Sequence, residues 1–145
     1  MSDPLYRREL LRLAADAAGA GRLVSPDASA TLHNPACGDR VTLDLGIADG
    51  RITALGHRTE ACVLTQASAA ILGAAALGAG RGELEVLAAE LRAMLKGGPA
   101  PSAPFGAYAA FGGAADSAGR HVCVLLPVEA ALEALSVSAL PEPGR

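Results

Sequence analysis

The sequence predicts an α+β domain in which a small antiparallel sheet comes early in the chain and helices cover one of its faces. The first observation is the segment Arg40–Ile47, where apolar and polar residues alternate with the two-residue period of a half-buried strand. The second is the Asp49-Gly50 pair, a hairpin turn signal that sends the chain into a partner strand, Arg51–His57. The third is the helical spacing of apolar residues from Val63 onward.

Two elements are predicted before this hairpin. A helix begins at Pro4, a residue suited to the first helical turn, and its apolar residues recur at helical spacing until Gly19 ends it. A short strand, Ala28–His33, follows. The loop Asn34–Asp39 then leads into the clear strand.

Helices are predicted for most of the remaining chain. The best of them runs from Glu83 to Lys96, with leucines on one face and charges placed as the helix dipole favours. A loop rich in proline and glycine, residues 97–104, follows it. We also predict an Ala/Ser-rich helix over Val63–Leu77 and a helix weakened by glycines over Phe105–Ala115. A final helix is predicted over Pro127–Leu135, followed by a frayed tail over Ser136–Arg145.

Length and composition predict one globular domain over residues 1–145. The chain has 145 residues, of which 51% are hydrophobic and 19% charged, enough for a single core. Its net charge is −3 and its cations are scattered, so we expect no nucleic-acid partner. No apolar run is long enough to span a bilayer and no apolar segment follows the N-terminus, so we expect no membrane association and a cytoplasmic location.

Three cysteines are the strongest candidates for chemistry. Their odd number, in a reducing compartment, argues against a disulfide framework and favours a metal site or catalysis. Cys37 and Asp39 flank Gly38, whose backbone freedom lets the two side chains turn toward one point. Cys62 and Cys123 each stand just ahead of a helical pattern, where the field of the helix N-terminus favours a thiolate. Thiolates of this kind suit Zn²⁺ and iron–sulfur clusters.

The same residues also have a purely structural interpretation, and their spacing does not decide between the two. Free cysteines are often buried and inert, and this chain has no C-x-x-C pair. Asp39 could simply cap its own turn. Each of three further residues is either a group beside the site or an ordinary solvated side chain: Glu60, Arg120 and His121.

Three segments resemble the motifs of the iron–sulfur cluster assembly scaffold family, which includes IscU, SufU and the N-terminal domain of NifU. Residues 34–39, NPACGD, closely resemble its N-P-x-C-G-D motif. Residues 61–69, ACVLTQASA, resemble its second motif, a cysteine followed by a helix of small residues, and residues 120–126, RHVCVLL, resemble an R-x-x-C segment. IscU-type members carry a histidine where Val122 stands, so the SufU-type branch, with R-x-x-C and an insertion before it, is the more similar one.

The resemblance implies both a fold and a site. The fold is the SufE/IscU-like sandwich, a three-stranded antiparallel sheet packed against helices in a single domain. The site is a metal centre whose ligands are Cys37, Asp39, Cys62 and Cys123.

The resemblance also implies a pathway, within which three functions are open. In the first, the chain holds zinc and accepts persulfide sulfur from a pyridoxal-phosphate cysteine desulfurase, as a zinc-dependent sulfurtransferase whose acceptor is Cys37. In the second, the same residues assemble a transient 2Fe–2S cluster and pass it to apo-proteins or carriers. In the third, a divergent member only binds a partner protein, since Glu60-Ala61 stand where the family usually has a glycine.

Overall fold

The computed structural model describes residues 4–34, 38–116 and 118–139 of the chain. Four α-helices, three strands and one 3₁₀ segment account for most of these residues. In chain order they are α1 (Pro4–Asp16), β1 (Ala28–Asn34), β2 (Asp39–Ala48), β3 (Arg51–Glu60), α2 (Val63–Ala75), α3 (Arg81–Leu95), the 3₁₀ segment (Gly106–Asp116) and α4 (Ala118–Ala139).

The strands form one antiparallel sheet in the order β1-β2-β3. At one end of the sheet, Asn34 of β1 pairs with Asp39, the first residue of β2. At the other end, Asp49 and Gly50 join β2 to β3 with positive φ angles of 53° and 75°, as a type I′ hairpin turn requires. The predicted α+β class, a three-stranded antiparallel sheet packed against helices, is therefore confirmed.

The core lies between the sheet and two of the helices. Helices α2 and α4 contact the strands, while α1 packs on α2 and α3 packs on α4. The inward side chains of β2, Val41, Leu43 and Leu45, have no exposed surface. Gly73 of α2 lies so close to the backbone of Ala18, just after α1, that no Cβ fits between them. The small residue at position 73 thus lets α2 approach the chain after α1 closely.

The outer face of the sheet is less open than the alternation in β2 predicts. Asp44 is one of the polar residues that alternate with the buried ones in this strand, yet it has no exposed surface. Its carboxylate accepts bonds from Arg22 Nε at 2.6 Å and Nη2 at 3.0 Å, from the Ser29 hydroxyl at 2.5 Å and from the Leu23 amide at 3.1 Å. The buried Asp44 carboxylate therefore holds the connection between α1 and β1 against the outer face of the sheet.

We expect Asp44→Asn to destabilise the fold by about 1.5–3 kcal/mol, because it removes charge-assisted hydrogen bonds from a buried site. Burial by itself raises the pKa of Asp44, but the donors from Arg22, Ser29 and Leu23 outweigh it and leave the pKa below its usual range. The stabilisation is therefore present above the ordinary aspartate pKa and is lost as the pH falls through the lowered one.

Urea unfolding of wild type and Asp44→Asn across the acidic range measures this prediction. The exposed turn variant Asp49→Asn is the control and should stay within about 0.5 kcal/mol of wild type. Equal stability of wild type and Asp44→Asn at neutral pH would contradict the assigned role of the carboxylate.

Helix α4 begins earlier than the sequence predicts. A start at Pro127 is wrong, because the helix begins at Ala118 and holds Pro127 inside it. Proline has no N–H to donate to the carbonyl four residues before it, which is a local cost. Val124, Val128 and Ala131 are nevertheless fully buried and continue one apolar face across the proline. Burial of that face outweighs the local signal of the proline.

Two further elements differ from prediction. The segment Gly106–Asp116 is a 3₁₀ helix rather than an α-helix, in a stretch whose glycines disfavour regular helix. Helix α4 continues to Ala139, so residues 136–139 of the predicted tail are helical, and residues 140–145 lie outside the described part. None of the described helices is both long enough and apolar enough to cross a membrane.

Candidate metal centre

Three elements bring the ligand atoms of Asp39, Cys62 and Cys123 within 4.8 Å of one another. Asp39 is the first residue of β2, Cys62 is the N-cap of α2, and Cys123 lies in the second turn of α4. Asp39 and Cys123 are buried, whereas Cys62 is exposed. The cluster is therefore largely enclosed by the protein and can be reached from solvent at Cys62.

Both oxygens of the Asp39 carboxylate accept hydrogen bonds from the start of α2. Oδ1 accepts the backbone N–H of Cys62 at 3.1 Å, and Oδ2 accepts the hydroxyl of Thr65 at 2.9 Å. Cys62 Sγ lies 3.5 Å from Asp39 Oδ2 and 3.5 Å from Thr65 Oγ1. Since Cys62 makes no side-chain cap of its own helix, Asp39 supplies an acceptor there from the neighbouring strand.

The two described thiols lie in different electrostatic surroundings. Cys62 stands at the N-terminus of α2, as predicted, where the positive end of the helix dipole favours negative charge. Cys123 does not share that field, because it lies beyond the first turn of α4, and the prediction that it stands at a helix start is wrong. Burial raises the pKa of the Cys123 thiol, and the neighbouring Cys62 and Asp39 raise it further. A bound cation would be needed to hold Cys123 as a thiolate.

The donor set suits a tetrahedral metal ion. Two sulfur atoms and one carboxylate oxygen are the ligand types that zinc takes at protein sites. With Zn–S of about 2.3 Å and Zn–O of about 2.1 Å, a sulfur and an oxygen on one tetrahedral ion lie roughly 3.6 Å apart. The separation of 3.5 Å between Cys62 Sγ and Asp39 Oδ2 matches that value. These residues could therefore hold a metal with one coordination position left for a fourth ligand.

The other predicted site residues have mixed outcomes. Cys37 lies outside the described residues, next to Gly38, whose φ of +76° places it in the left-handed region that glycine adopts readily. Arg120 lies in the first turn of α4, and its side chain is outside the described part. His121 is half-buried on α4 but is not one of the grouped ligands among the described residues. Its place beside the metal stays a prediction.

Glu60 has charged partners of its own. It is the last residue of β3, which extends beyond the predicted end of that strand. Its carboxylate lies 3.0 Å from Arg58 and 3.9 Å from Arg40, and about half of its side chain is exposed. The two arginines offset the negative charge that Glu60 would otherwise bring near the cysteines. A role for Glu60 beside the metal stays a prediction.

Thr65 was not among the predicted site residues. This residue has no exposed surface and stands three positions after Cys62, so its hydroxyl faces the N-cap of the same helix. Its signal in the sequence was the C-x-x-T spacing at a predicted helix start, where a hydroxyl can reach the groups around the cap.

A second missed group ties the two cysteine-bearing helices together. Ser68 of α2 donates its hydroxyl to the carbonyl of Val124, the residue after Cys123, at 2.7 Å. Tyr108, from the 3₁₀ segment, donates to the Ser68 carbonyl at 3.1 Å. Ser68 and Tyr108 have no exposed surface. The position of α4 relative to α2 is therefore fixed within a few residues of the site.

Comparisons with known proteins agree with this architecture. A family model described as the NifU-like N-terminal domain matches residues 5–119. The crystal structure of a nitrogen-fixing NifU-like protein (N-terminal) from Brucella abortus is 34% identical, with a TM-score of 0.86 and coverage of 90% of this chain and 92% of that chain.

A more distant structure has the same fold. It is described as an iron–sulfur cluster assembly scaffold protein for the SUF system from thermophilic Fervidobacterium islandicum AW-1. It is 21% identical, with a TM-score of 0.75 and coverage of 85% of this chain and 93% of that chain. No curated protein sequence matches the chain significantly. Because the family model covers most of its length and a 34% identical relative shares its fold, this chain belongs to the NifU-like N-terminal domain family of iron–sulfur cluster scaffold proteins.

Proposed function

We propose that this chain acts as a single domain in iron–sulfur cluster assembly and accepts sulfur from a pyridoxal-phosphate cysteine desulfurase at a zinc site. The proposed ligands are Cys37, Asp39, Cys62 and Cys123. The observation that carries the proposal is the convergence of Asp39, Cys62 and Cys123 within 4.8 Å, from a strand and two helices far apart in sequence. Cys37 stands two positions before Asp39 in the sequence, and this short separation supports it as the fourth proposed ligand.

The proposed transfer is an exchange between sulfur atoms. The Cys37 thiolate attacks the outer sulfur of the desulfurase persulfide, forms a new S–S bond and releases the desulfurase cysteine as a thiolate. The S–S bond of the desulfurase persulfide breaks, and its outer sulfur moves to Cys37 with its proton, so no external oxidant or reductant is needed. Zinc, when bound, supplies the positive charge that keeps the cysteines deprotonated at neutral pH. Asp39 is the oxygen ligand of the set and exchanges more readily than a thiolate would.

A cluster scaffold is the second candidate, and the donor set of the site supports it as well. Cysteine thiolates are the usual ligands of 2Fe–2S clusters, and a single oxygen ligand favours release of the cluster to an apo-protein or carrier. Membership of the scaffold family supports this candidate equally. Both candidates require the same four ligands and a desulfurase partner.

Metal analysis and a visible spectrum, on protein purified without oxygen or chelator, separate these functions. Zinc transfer predicts about one zinc per chain and no colour. A scaffold predicts iron and sulfide with a visible chromophore, either as purified or after reconstitution. Binding of neither would overturn both candidates and leave the partner-binding hypothesis.

The acceptor role of Cys37 has its own test. After incubation with a cysteine desulfurase and cysteine, mass spectrometry should find an added sulfur atom on Cys37 of the wild-type chain. The Cys37→Ala variant should carry no added sulfur and should no longer stimulate the desulfurase. Stimulation that survives in Cys37→Ala would exclude Cys37 as the acceptor.

A further inference from the structure

We infer that Thr65 is a positioning residue that fixes the Asp39 carboxylate for metal binding and links it to Cys62. The inference rests on the proposed metal site and adds a residue that carries no metal-binding atom of its own there. Its basis is the set of contacts that Thr65 makes with two of the proposed ligands.

The hydroxyl of Thr65 lies between these two ligands. Its oxygen is 2.9 Å from Asp39 Oδ2 and 3.5 Å from Cys62 Sγ. A threonine hydroxyl has one proton to donate, and here that proton goes to the carboxylate, while the hydroxyl oxygen lies beside the Cys62 sulfur. Thr65 therefore contacts the same carboxylate oxygen that faces Cys62 Sγ at 3.5 Å.

Asp39 is held at two points because of this contact. The Cys62 amide fixes Oδ1 and the Thr65 hydroxyl fixes Oδ2, so rotation of the carboxylate would break one bond or the other. The two donors lie at the N-cap and in the first turn of α2, which is itself packed on β3, α1 and α4. Two hydrogen bonds that orient the carboxylate thus come from a helix packed against three other elements.

Burial makes the hydrogen bond from Thr65 to Asp39 hard to replace by a bond from water. Thr65 has no exposed surface and Asp39 is only 4% exposed, so water cannot easily replace the hydroxyl as a donor. Loss of the hydroxyl would remove from Oδ2 the donor at 2.9 Å that orients it toward Cys62 and toward the point where the ligand atoms converge. Partners of this kind, which orient metal ligands without touching the metal, typically contribute 10- to 100-fold to metal affinity.

The test compares the metal affinity of Thr65→Val, which keeps the shape and removes the hydroxyl, with that of wild type. Co²⁺ is the probe, because its visible absorption reports the ligands around it, and a competing chelator gives the dissociation constant. We expect Thr65→Val to bind Co²⁺ roughly 10- to 100-fold more weakly and with an altered spectrum. Thr65→Ser, which restores the hydroxyl, should return both the affinity and the spectrum to those of wild type.

Two controls make the result decisive. Thr42→Val removes a threonine hydroxyl that bonds Thr31 at 2.9 Å on the sheet surface, away from the cysteines, and should leave Co²⁺ affinity unchanged. Thr65→Ala also removes the hydroxyl, so the test can still be made if Thr65→Val does not fold.

The outcomes also separate this inference from the proposed function. A wild-type chain that binds Co²⁺, with equal affinity and spectrum in Thr65→Val or Thr65→Ala, overturns the positioning role and leaves the metal site standing. A wild-type chain that does not bind Co²⁺ overturns both. Weaker binding in both variants, with recovery in Thr65→Ser, is the result that the inference requires.

Discussion

Replacement of Cys123 by serine is expected to abolish the stabilisation that zinc, bound at the proposed site, would give the fold. A ligand that binds only the folded chain stabilises it by about 2.7 kcal/mol at a concentration 100 times its dissociation constant. For a domain of this size, that corresponds to a rise in melting temperature of roughly 5–10 °C. Serine is close in size to cysteine but gives zinc a neutral hydroxyl in place of a thiolate. We expect the zinc affinity of Cys123→Ser to be at least about 100-fold lower than that of wild type, so that the zinc-dependent rise in melting temperature disappears.

Thermal unfolding with and without zinc measures this effect. Val122→Ser, which changes the exposed neighbour on the same helix, should keep the full rise in melting temperature. Without zinc, Cys123→Ser should unfold at nearly the same temperature as wild type, because the buried position keeps a small side chain. An undiminished zinc-dependent rise in Cys123→Ser would exclude Cys123 as a ligand.

Gly73→Ala is expected to destabilise the fold strongly. A Cβ at this position would overlap the carbonyl oxygen of Ala18 and would lie 2.6 Å from its carbonyl carbon and 3.0 Å from Gly19 Cα. All three atoms belong to backbone, so no side chain can move aside to relieve the overlap. The chain after α1 would have to shift away from α2, and we expect a loss of roughly 3 kcal/mol or more. The melting temperature should fall by about 6–12 °C.

A second glycine gives the matched control. Gly82 also lies in a helix, near the start of α3, but nothing would lie within 4 Å of its Cβ. Gly82→Ala should therefore stabilise the chain slightly, by up to about 1 kcal/mol, through helix propensity alone. Denaturant unfolding of both variants provides the comparison. Equal changes in stability for Gly73→Ala and Gly82→Ala would mean that helix propensity, and not the close approach of the Ala18 backbone, determines the effect at Gly73.

Local patterns predicted most of the fold. The alternation in β2 and the Asp49-Gly50 pair depend on neighbouring residues only, and both elements form where predicted. The start of α4 could not be predicted in this way, because Pro127 is a local stop signal and the burial that outweighs it comes from other elements. Asp44 was missed for the same reason, since its donors come from the distant segment around Arg22.

The candidate site was likewise predicted only where its residues belong to local sequence motifs. The motif resemblance named Asp39, Cys62 and Cys123, whose ligand atoms lie together in the structure. Thr65 could not be assigned from its motif, because its role depends on the distance to a carboxylate from another strand. The link from Ser68 to Val124 likewise joins residues of two helices whose spacing only the folded chain defines.

The origin of the site in three separate elements has a consequence for how the chain is made. Asp39 and Cys123 are separated by more than half of the sequence, and α4 contacts β1, β2, α2 and α3. At about 5–20 residues per second of synthesis, Cys123 is added roughly 4–17 s after Asp39. During that interval, a nascent chain has Cys37 and later Cys62 but not the complete set of proposed ligands. A metal captured at the full site therefore marks a chain whose last helix has already docked.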